Sequence, residues 1–265
     1  MKIGFIGTGV MGTAMMSGII SNGICDPKDI YGADQFEGSR KKVQEKYGVN
    51  VSADNAEVAA AVDVLFLSVK PHFYATVIDS IRDAIRPETI VITIAAGKKL
   101  AWVEEQFGKE VKIVRCMPNT PAMVCAGMTA ACPNKLCTEE DKELVKTVLS
   151  GFGRMEFIDE SLMNTVTGVS GSAPAYVFIF IEALADAAVD FGMPRAQAYT
   201  FAAQAVYGSA KMVLETGEHP AVLKDRVCTP GGTTIAAVRV LEQTGLRSSV
   251  FEALAKCVQF SRTMD

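Results

Sequence analysis

The first twelve residues hold the pattern with the most chemical content in the chain. In KIGFIGTGVMG, residues 2–12, an apolar run ends in Gly7, Gly9 and Gly12, spaced G-x-G-x-x-G. Such a spacing can cradle a pyrophosphate when a strand precedes it and a helix follows. Gly7 makes the turn, Gly9 lets the backbone approach the phosphates, and Gly12 lets the helix lie close to the strand. Here the helical stretch VMGTAMMSGIIS follows, so the N–H groups and positive dipole end around Thr8, Val10 and Met11 would face an anion. A ligand-free turn explains the glycines but not this context. Asp34 ends the next strand-like run, near the spacing of about 20 residues at which an acidic side chain binds the adenosine ribose of NAD. Ser39, Arg40, Lys41 and Lys42 follow at once and suit either a 2′-phosphate or a solvated helix face, so NADH and NADPH both stay open. A second anion pocket is legible in VCTPGGTTIAAVRVLEQ, residues 227–243. There Pro230, Gly231 and Gly232 lead into a helix beginning at Thr233 and Thr234, whose backbone N–H groups suit a carboxylate and whose hydroxyls add donors. An N-capping threonine after a Pro-Gly turn explains the threonines but less of the string.

Two kinds of scaffold must position these groups. Up to about residue 160, β-branched runs (2–7, 29–34, 49–52, 63–69, 89–96, 111–119, 127–133 and 155–159) alternate with helical patterns, which predicts a parallel sheet with helices on both faces. Several runs are apolar throughout, as strands covered on both faces are. The turns SVKP (Ser68, Val69, Lys70, Pro71), AAG (Ala95, Ala96, Gly97) and MPNTP (117–121) then fall on the rim outside the strands' carboxyl ends, where open α/β sheets bind ligands. From Ser161 the strand signal ends and helical stretches follow at about 173–191, 195–215, 233–244 and 247–262. The expected fold is a Rossmann-type doubly wound α/β sheet over residues 1–160, followed by an all-α helical dimerisation domain over 161–265. The helices carry Ala, Val, Phe and Met on more than one face, more apolar surface than about 100 residues bury alone, which predicts a homodimer through this half.

Composition excludes several classes. The chain has 265 residues, 49% hydrophobic and 21% charged, with a net charge of −4. Its basic residues form no blocks, so nucleic acid is not an expected partner. Seven cysteines (25, 116, 125, 132, 137, 228 and 257) with only His72 and His219 give no C-x-x-C and no zinc spacing, so buried reduced thiols and no metal are expected. The N-terminus enters a strand directly, without the pattern of a secretory signal, which points to the cytoplasm. The most apolar stretch, AYVFIFIEALADAAV, carries Glu182 and Asp186 and falls short of the roughly 20 residues of a membrane span, so it reads as a core helix and no membrane is expected.

With FIGTGVMG, SVKP, AAG, RCMPNTP, GVSGSAPAYVFIFIEAL and LKDRVCTPGGTTIAAV spread along essentially its whole length, the sequence resembles the pyrroline-5-carboxylate reductase family. The last string stands close to the family's signature. The resemblance implies reduction of 1-pyrroline-5-carboxylate to L-proline by NADPH or NADH. It also implies a Rossmann domain and a helical domain that interlocks with its twofold mate, with dimers commonly assembling into decamers. Carried over by motif, the cofactor would be held by residues 7 to 12, Asn55, Ser68 to Pro71 and Ala95 to Gly97. The substrate carboxylate would meet the backbone at Gly231, Gly232, Thr233 and Thr234, and Glu218 in TGEHP matches another position near the substrate. Arg226 stands where many members place an asparagine that contacts the cofactor. The family usually prefers NADPH, an inference that Asp34 weakens here.

If the imine binds already protonated, hydride transfer neutralises positive charge and needs no strong acid; Thr234 would orient the ring nitrogen as the catalytic contact, and proximity supplies much of the rate. His219, before Pro220 at an expected helix start, reads as structural; Tyr176 reads as core or interface, and Lys70 as a backbone contact. Two rivals stand beside this reading. A β-hydroxyacid dehydrogenase would need a catalytic lysine that GVSGSAPAYVFIFIEAL lacks, and a nonenzymatic NAD(P)-binding sensor would have no use for an intact TPGGTT. The two helix starts, at Gly9 and Gly232, are expected to border one cleft, within a chain or between paired subunits.

Overall fold

The computed structural model describes residues 1–264. Every residue of strand β1 (Ile3–Ile6) is buried, because β2 (Ile30–Ala33) pairs with it in parallel on one side and β4 (Val64–Leu67) on the other. A strand at the centre of a sheet with helices on both faces is apolar at each position, not at every second one. Strand alternation divides the core accordingly. Ile3, Phe5, Val64, Phe66, Ile90 and Ile92 enter one cluster, and Ile6, Leu65, Leu67, Val91 and Ile113 enter the other. Phe5 and Phe66 stack across β1 and β4 with ring centroids 4.7 Å apart.

The remaining strands are β3 (Asn50–Ser52), β5 (Ile90–Thr93), β6 (Lys112–Met117), β7 (Gly127–Pro133) and β8 (Gly153–Phe157). They form one eight-stranded sheet in the order β3-β2-β1-β4-β5-β6-β7-β8. All eight strands read from the sequence are present. The expectation of a wholly parallel sheet is corrected at one pair: β6 and β7 run antiparallel. Only residues 118–126 connect them, and a parallel return needs a crossover of about a dozen residues or more. The helices are α1 (Val10–Ser21), α2 (Glu37–Tyr47), α3 (Asn55–Ala61), α4 (Tyr74–Ile81), α5 (Leu100–Phe107), α6 (Glu139–Ser150) and the short α7 (Met163–Val166). Strand order reverses at β1, which lies between β2 and β4, so the carboxyl ends of β1 and β4 border the crevice at which doubly wound sheets take ligands.

The chain forms two compact units, one of residues 1–172 together with the chain from Cys257 onward, the other Ala173–Lys256. The second is helical: α8 (Ala173–Asp190), α9 (Arg195–Thr216), α10 (Pro220–Val227), α11 (Thr233–Gln243) and most of α12 (Leu246–Arg262). Its buried set is small, with Ala185, Ala198 and Ala202 letting α8 and α9 approach closely. Phe178, Ile179, Phe201, Tyr207, Met212 and Phe251 are exposed. The expectation that AYVFIFIEALADAAV is a core helix is therefore overturned in the single chain, where Ala185 alone is buried on α8. The helical run Glu160–Asp190, 31 residues with a window of mean hydropathy 1.5, is long and apolar enough to cross a membrane by length and composition, where the sequence reading held it too short.

Candidate active site

The three glycines meet three different surroundings. Gly7 follows β1 with a φ of +98°, and a Cβ there would lie 2.8 Å from the Ser68 carbonyl oxygen. A Cβ on Gly12 would lie 2.4 Å from the Gly7 carbonyl oxygen and 2.9 Å from Ser68 Oγ. Both positions exclude a side chain because β1, the start of α1 and the end of β4 press together there. Ser68 Oγ strengthens the junction by donating to the Gly7 carbonyl at 2.7 Å. Gly9 is the opposite case, with no atom within 4 Å of its would-be Cβ. It is the N-cap of α1, has no side-chain cap, and no acidic residue stands in the first turn. A helix start leaves its first N–H groups without intrahelical partners, a position that favours an anion. The residues present fit a dinucleotide's pyrophosphate.

Asp34, just beyond β2, does more than mark a spacing. Its Oδ2 accepts from the Thr8 N–H at 2.9 Å and the Thr8 hydroxyl at 3.1 Å, and its Oδ1 accepts from the Phe36 N–H at 3.0 Å. A carboxylate offers about four lone-pair positions, so one on Oδ1 is left for a further donor. Arg40 turns inward, donating to the Asp34 carbonyl at 2.6 Å and the Gln35 carbonyl at 3.2 Å. Asn55, at the start of α3, donates from Nδ2 to Ser80 Oγ at 3.2 Å. Lys70 is exposed at the β4 rim, and Ser68, Val69 and Pro71 are half-buried beside it. Ala95 is buried, Ala96 half-buried, and Gly97 has a φ of +69° with its would-be Cβ 2.5 Å from the Met264 carbonyl oxygen. No motif or spacing signals that approach by the segment after α12, and none signals the buried Arg115, whose Nη1 donates to Glu160 Oε1 at 2.8 Å while the Leu100 N–H donates to the same oxygen at 2.7 Å.

In the second unit, Thr229-Pro230-Gly231-Gly232 forms a turn closed by the Gly232 N–H donating to the Thr229 carbonyl at 3.0 Å. Gly231 has a φ of +68°, the left-handed position that a type II turn reserves for glycine after proline. Gly232 is the N-cap of α11, with no side-chain cap and no acidic residue in the first turn. A Cβ on Gly232 would meet Thr229 Oγ1 at 2.4 Å. Thr233 and Thr234 are the first two helical residues, so neither occupies the N-cap position that a purely structural account required of a threonine. Glu218 is gripped by Arg226, with Nη1 to Oε1 at 2.8 Å and Nη2 to Oε2 at 2.6 Å. This two-point pairing fits a planar guanidinium to a carboxylate, and it gives Arg226, the departure from the family pattern, a partner within its own unit. His219 is the N-cap of α10, its Nδ1 accepting from the Ala221 N–H at 3.1 Å, in keeping with a structural role.

The buried thiols of β6 and of the turn after β7 offer no rival chemistry. All seven cysteines are free; Cys25, Cys116, Cys132 and Cys137 are buried, whereas Cys125 is exposed and Cys228 and Cys257 are intermediate, so the expectation of buried thiols holds for only part of the set. Burial pushes the Cys116 thiol far up and raises Cys137 to about 11, which keeps both protonated and unreactive at neutral pH.

Comparison with known proteins agrees with this arrangement. Residues 160–264 match the family described as pyrroline-5-carboxylate reductase dimerisation, and residues 2–97 match that described as NADP oxidoreductase, coenzyme F420-dependent. The chain is 50% identical over 263 residues to pyrroline-5-carboxylate reductase of Escherichia coli (strain K12), covering 99% of this chain and 98% of the relative. It is 43% identical to the enzyme of that name from Methanosarcina acetivorans, covering 99% and 97%. Among solved structures, a pyrroline-5-carboxylate reductase from Coxiella burnetii superposes with a TM-score of 0.93 at 34% identity, covering 100% of this chain and 98% of the other. The Plasmodium falciparum pyrroline carboxylate reductase, solved with NADP bound, gives 0.88 at 31% identity, covering 99% and 97%. By identity along its whole length, and by the two glycine-led helix starts it carries, the chain belongs to the pyrroline-5-carboxylate reductase family.

Proposed function

We infer that this chain reduces 1-pyrroline-5-carboxylate to L-proline with NADPH or NADH, the last step of proline biosynthesis. The observation that carries the reading is the second helix start: Gly232 leads α11 without any side-chain cap, behind a Pro-Gly turn, in a chain that matches the family from end to end. The bound dinucleotide supplies a hydride to C5 of the substrate's C=N bond.

The chain's own residues hold and orient. Gly7, Thr8, Gly9, Val10, Met11 and Gly12 carry the pyrophosphate on backbone N–H groups, helped by the positive end of the helix dipole. Asp34 takes an adenosine ribose hydroxyl on the acceptor position its Thr8 and Phe36 bonds leave. Asn55, Ser68 to Pro71 and Ala95 to Gly97 line the remainder of the cofactor site. Gly231, Gly232, Thr233 and Thr234 present backbone N–H groups to the substrate carboxylate, and the Thr234 hydroxyl orients the ring nitrogen. Glu218, held at two points by Arg226, adds a fixed carboxylate on the substrate side. An imine bound as its protonated form accepts hydride at C5 and becomes a neutral secondary amine, so a hydrogen-bond partner is sufficient and no side chain must deliver a proton to the ring nitrogen. Holding the two reactants in register supplies the larger part of the acceleration.

We propose further that residues 1–160 serve the cofactor and 161–265 serve substrate and dimerisation. The subunits pair through the C-terminal helices, which expose Phe178, Ile179 and Phe201, and the dimers assemble further into decamers as is common in the family. The free thiols suit the reducing conditions of the cytoplasm.

The direct test is loss of reduced-nicotinamide absorbance on adding 1-pyrroline-5-carboxylate; turnover of 3-hydroxy acids in place of the imine would refute the assignment. Thr234→Ala is expected to leave dinucleotide affinity near that of the parent while lowering kcat/KM for the imine about tenfold or more, because the lost contact touches only substrate. Equal losses of both would remove Thr234 from that role. Asp34→Ser should shift the NADPH/NADH ratio of kcat/KM toward NADPH by relieving repulsion of a 2′-phosphate; an unchanged ratio would take Asp34 out of the site. Gly9→Ala, which has open space for its methyl group, should keep the thermal unfolding midpoint and weaken dinucleotide binding by about tenfold, or about 1.4 kcal/mol. Unaltered binding would separate the glycine loop from the pyrophosphate.

A further inference from the structure

We infer that Tyr74 is a positioning residue for the dinucleotide site, its hydroxyl tying the Ser68–Pro71 loop to the Ala95–Gly97 loop. The inference rests on the functional reading above, in which both loops border the cofactor. Tyr74 opens α4 and is fully buried. Its Oη donates to the carbonyl of Leu67, the last residue of β4, at 2.5 Å. The same oxygen accepts from the Ile94 N–H and from the Thr93 hydroxyl, each at 3.1 Å, at the end of β5.

A phenol has one proton to donate and lone pairs for two donors. All three are used here, one toward β4 and two toward β5. The parallel register of these strands ends at Leu67 and Thr93, so beyond that pair the ladder no longer sets the distance between the chains. Ser68 follows directly on one side and Ala95 shortly after on the other. The Ala95 N–H also donates to Thr93 Oγ1, at 3.5 Å, which extends the tie into the second loop. Burial pushes the phenol up to about 12, so the proton donated to Leu67 stays in place across the neutral range. Being closed off from solvent, the hydroxyl acts on the cofactor only through the two loops it joins.

Tyr74→Phe keeps the ring and removes the tie. The expected result is a Kd for NADPH and NADH raised about tenfold in fluorescence titration, with kcat at saturating cofactor and KM for the imine within about twofold of the parent. Ile81→Val is the control for a general loss of stability, since Ile81 is buried on the same helix and makes no hydrogen bond to either loop. It should lower the unfolding midpoint and leave both Kd values alone. A parental Kd in Tyr74→Phe, or an equal rise in Ile81→Val, overturns the inference. If Tyr74→Phe does not fold, Thr93→Val removes one of the two links to β5 at nearly constant shape, and it too must raise Kd; an unchanged value overturns the inference. A parent chain without saturable dinucleotide binding would instead refute the functional reading, and this inference with it.

Discussion

A side-chain-free contact between Gly7 and Gly12 sets the geometry on which the cofactor half depends. With 2.4 Å between a would-be Gly12 Cβ and the Gly7 carbonyl oxygen, α1 can start where it does only if that atom is missing. Gly9, at the helix start itself, has no side-chain cap and open space where a Cβ would be. Thr8 then leans on Asp34, and Ser68 on Gly7, so that the ends of three strands hold one loop from three sides. Anion binding at such a start draws on groups the helix cannot satisfy internally, so the affinity is built into the backbone and the side chains supply shape and selectivity.

The helical unit repeats the device on a smaller scale. A proline-glycine turn delivers Gly232 to the head of α11, where a Cβ would crowd the Thr229 hydroxyl, a side-chain contact in place of the backbone one at Gly12. Around this anchor the unit is poorly covered, with alanines as its only buried hydrophobic residues and large aromatic side chains facing outward. Exposed apolar faces of that extent commonly mark interaction surfaces, and they fall within residues 160–264, which match the dimerisation family.

Much of this was legible beforehand because its physical causes are local. A strand covered on both faces must be apolar throughout, as several of the runs are, and all eight strands were legible as β-branched runs alternating with helical patterns. The glycine spacings announce backbone approaches, and both were legible with their helices. What escaped depends on partners distant in sequence or on another molecule. Apolar runs look alike on either side of a chain reversal, so the antiparallel β6–β7 pair shows only in the short stretch 118–126. Composition cannot distinguish a helix buried in its own chain from one with an apolar exposed face, hence the misplacement of AYVFIFIEALADAAV as a core helix. The bonds from Asp34 to Thr8, from Tyr74 to Leu67 and Ile94, and between Glu218 and Arg226 exist because the fold brings separate segments together, and no spacing rule encodes them.

In the proposed reaction two uncapped helix starts bind the two anionic groups, pyrophosphate and carboxylate. A crystal structure of the protein with an oxidised dinucleotide and L-proline is the decisive measurement. Phosphate oxygens are expected on the N–H groups of Val10 and Met11, and the proline carboxylate on those of Thr233 and Thr234. A carboxylate lodged on a lysine or arginine side chain, with the start of α11 left to solvent, would contradict that binding mode.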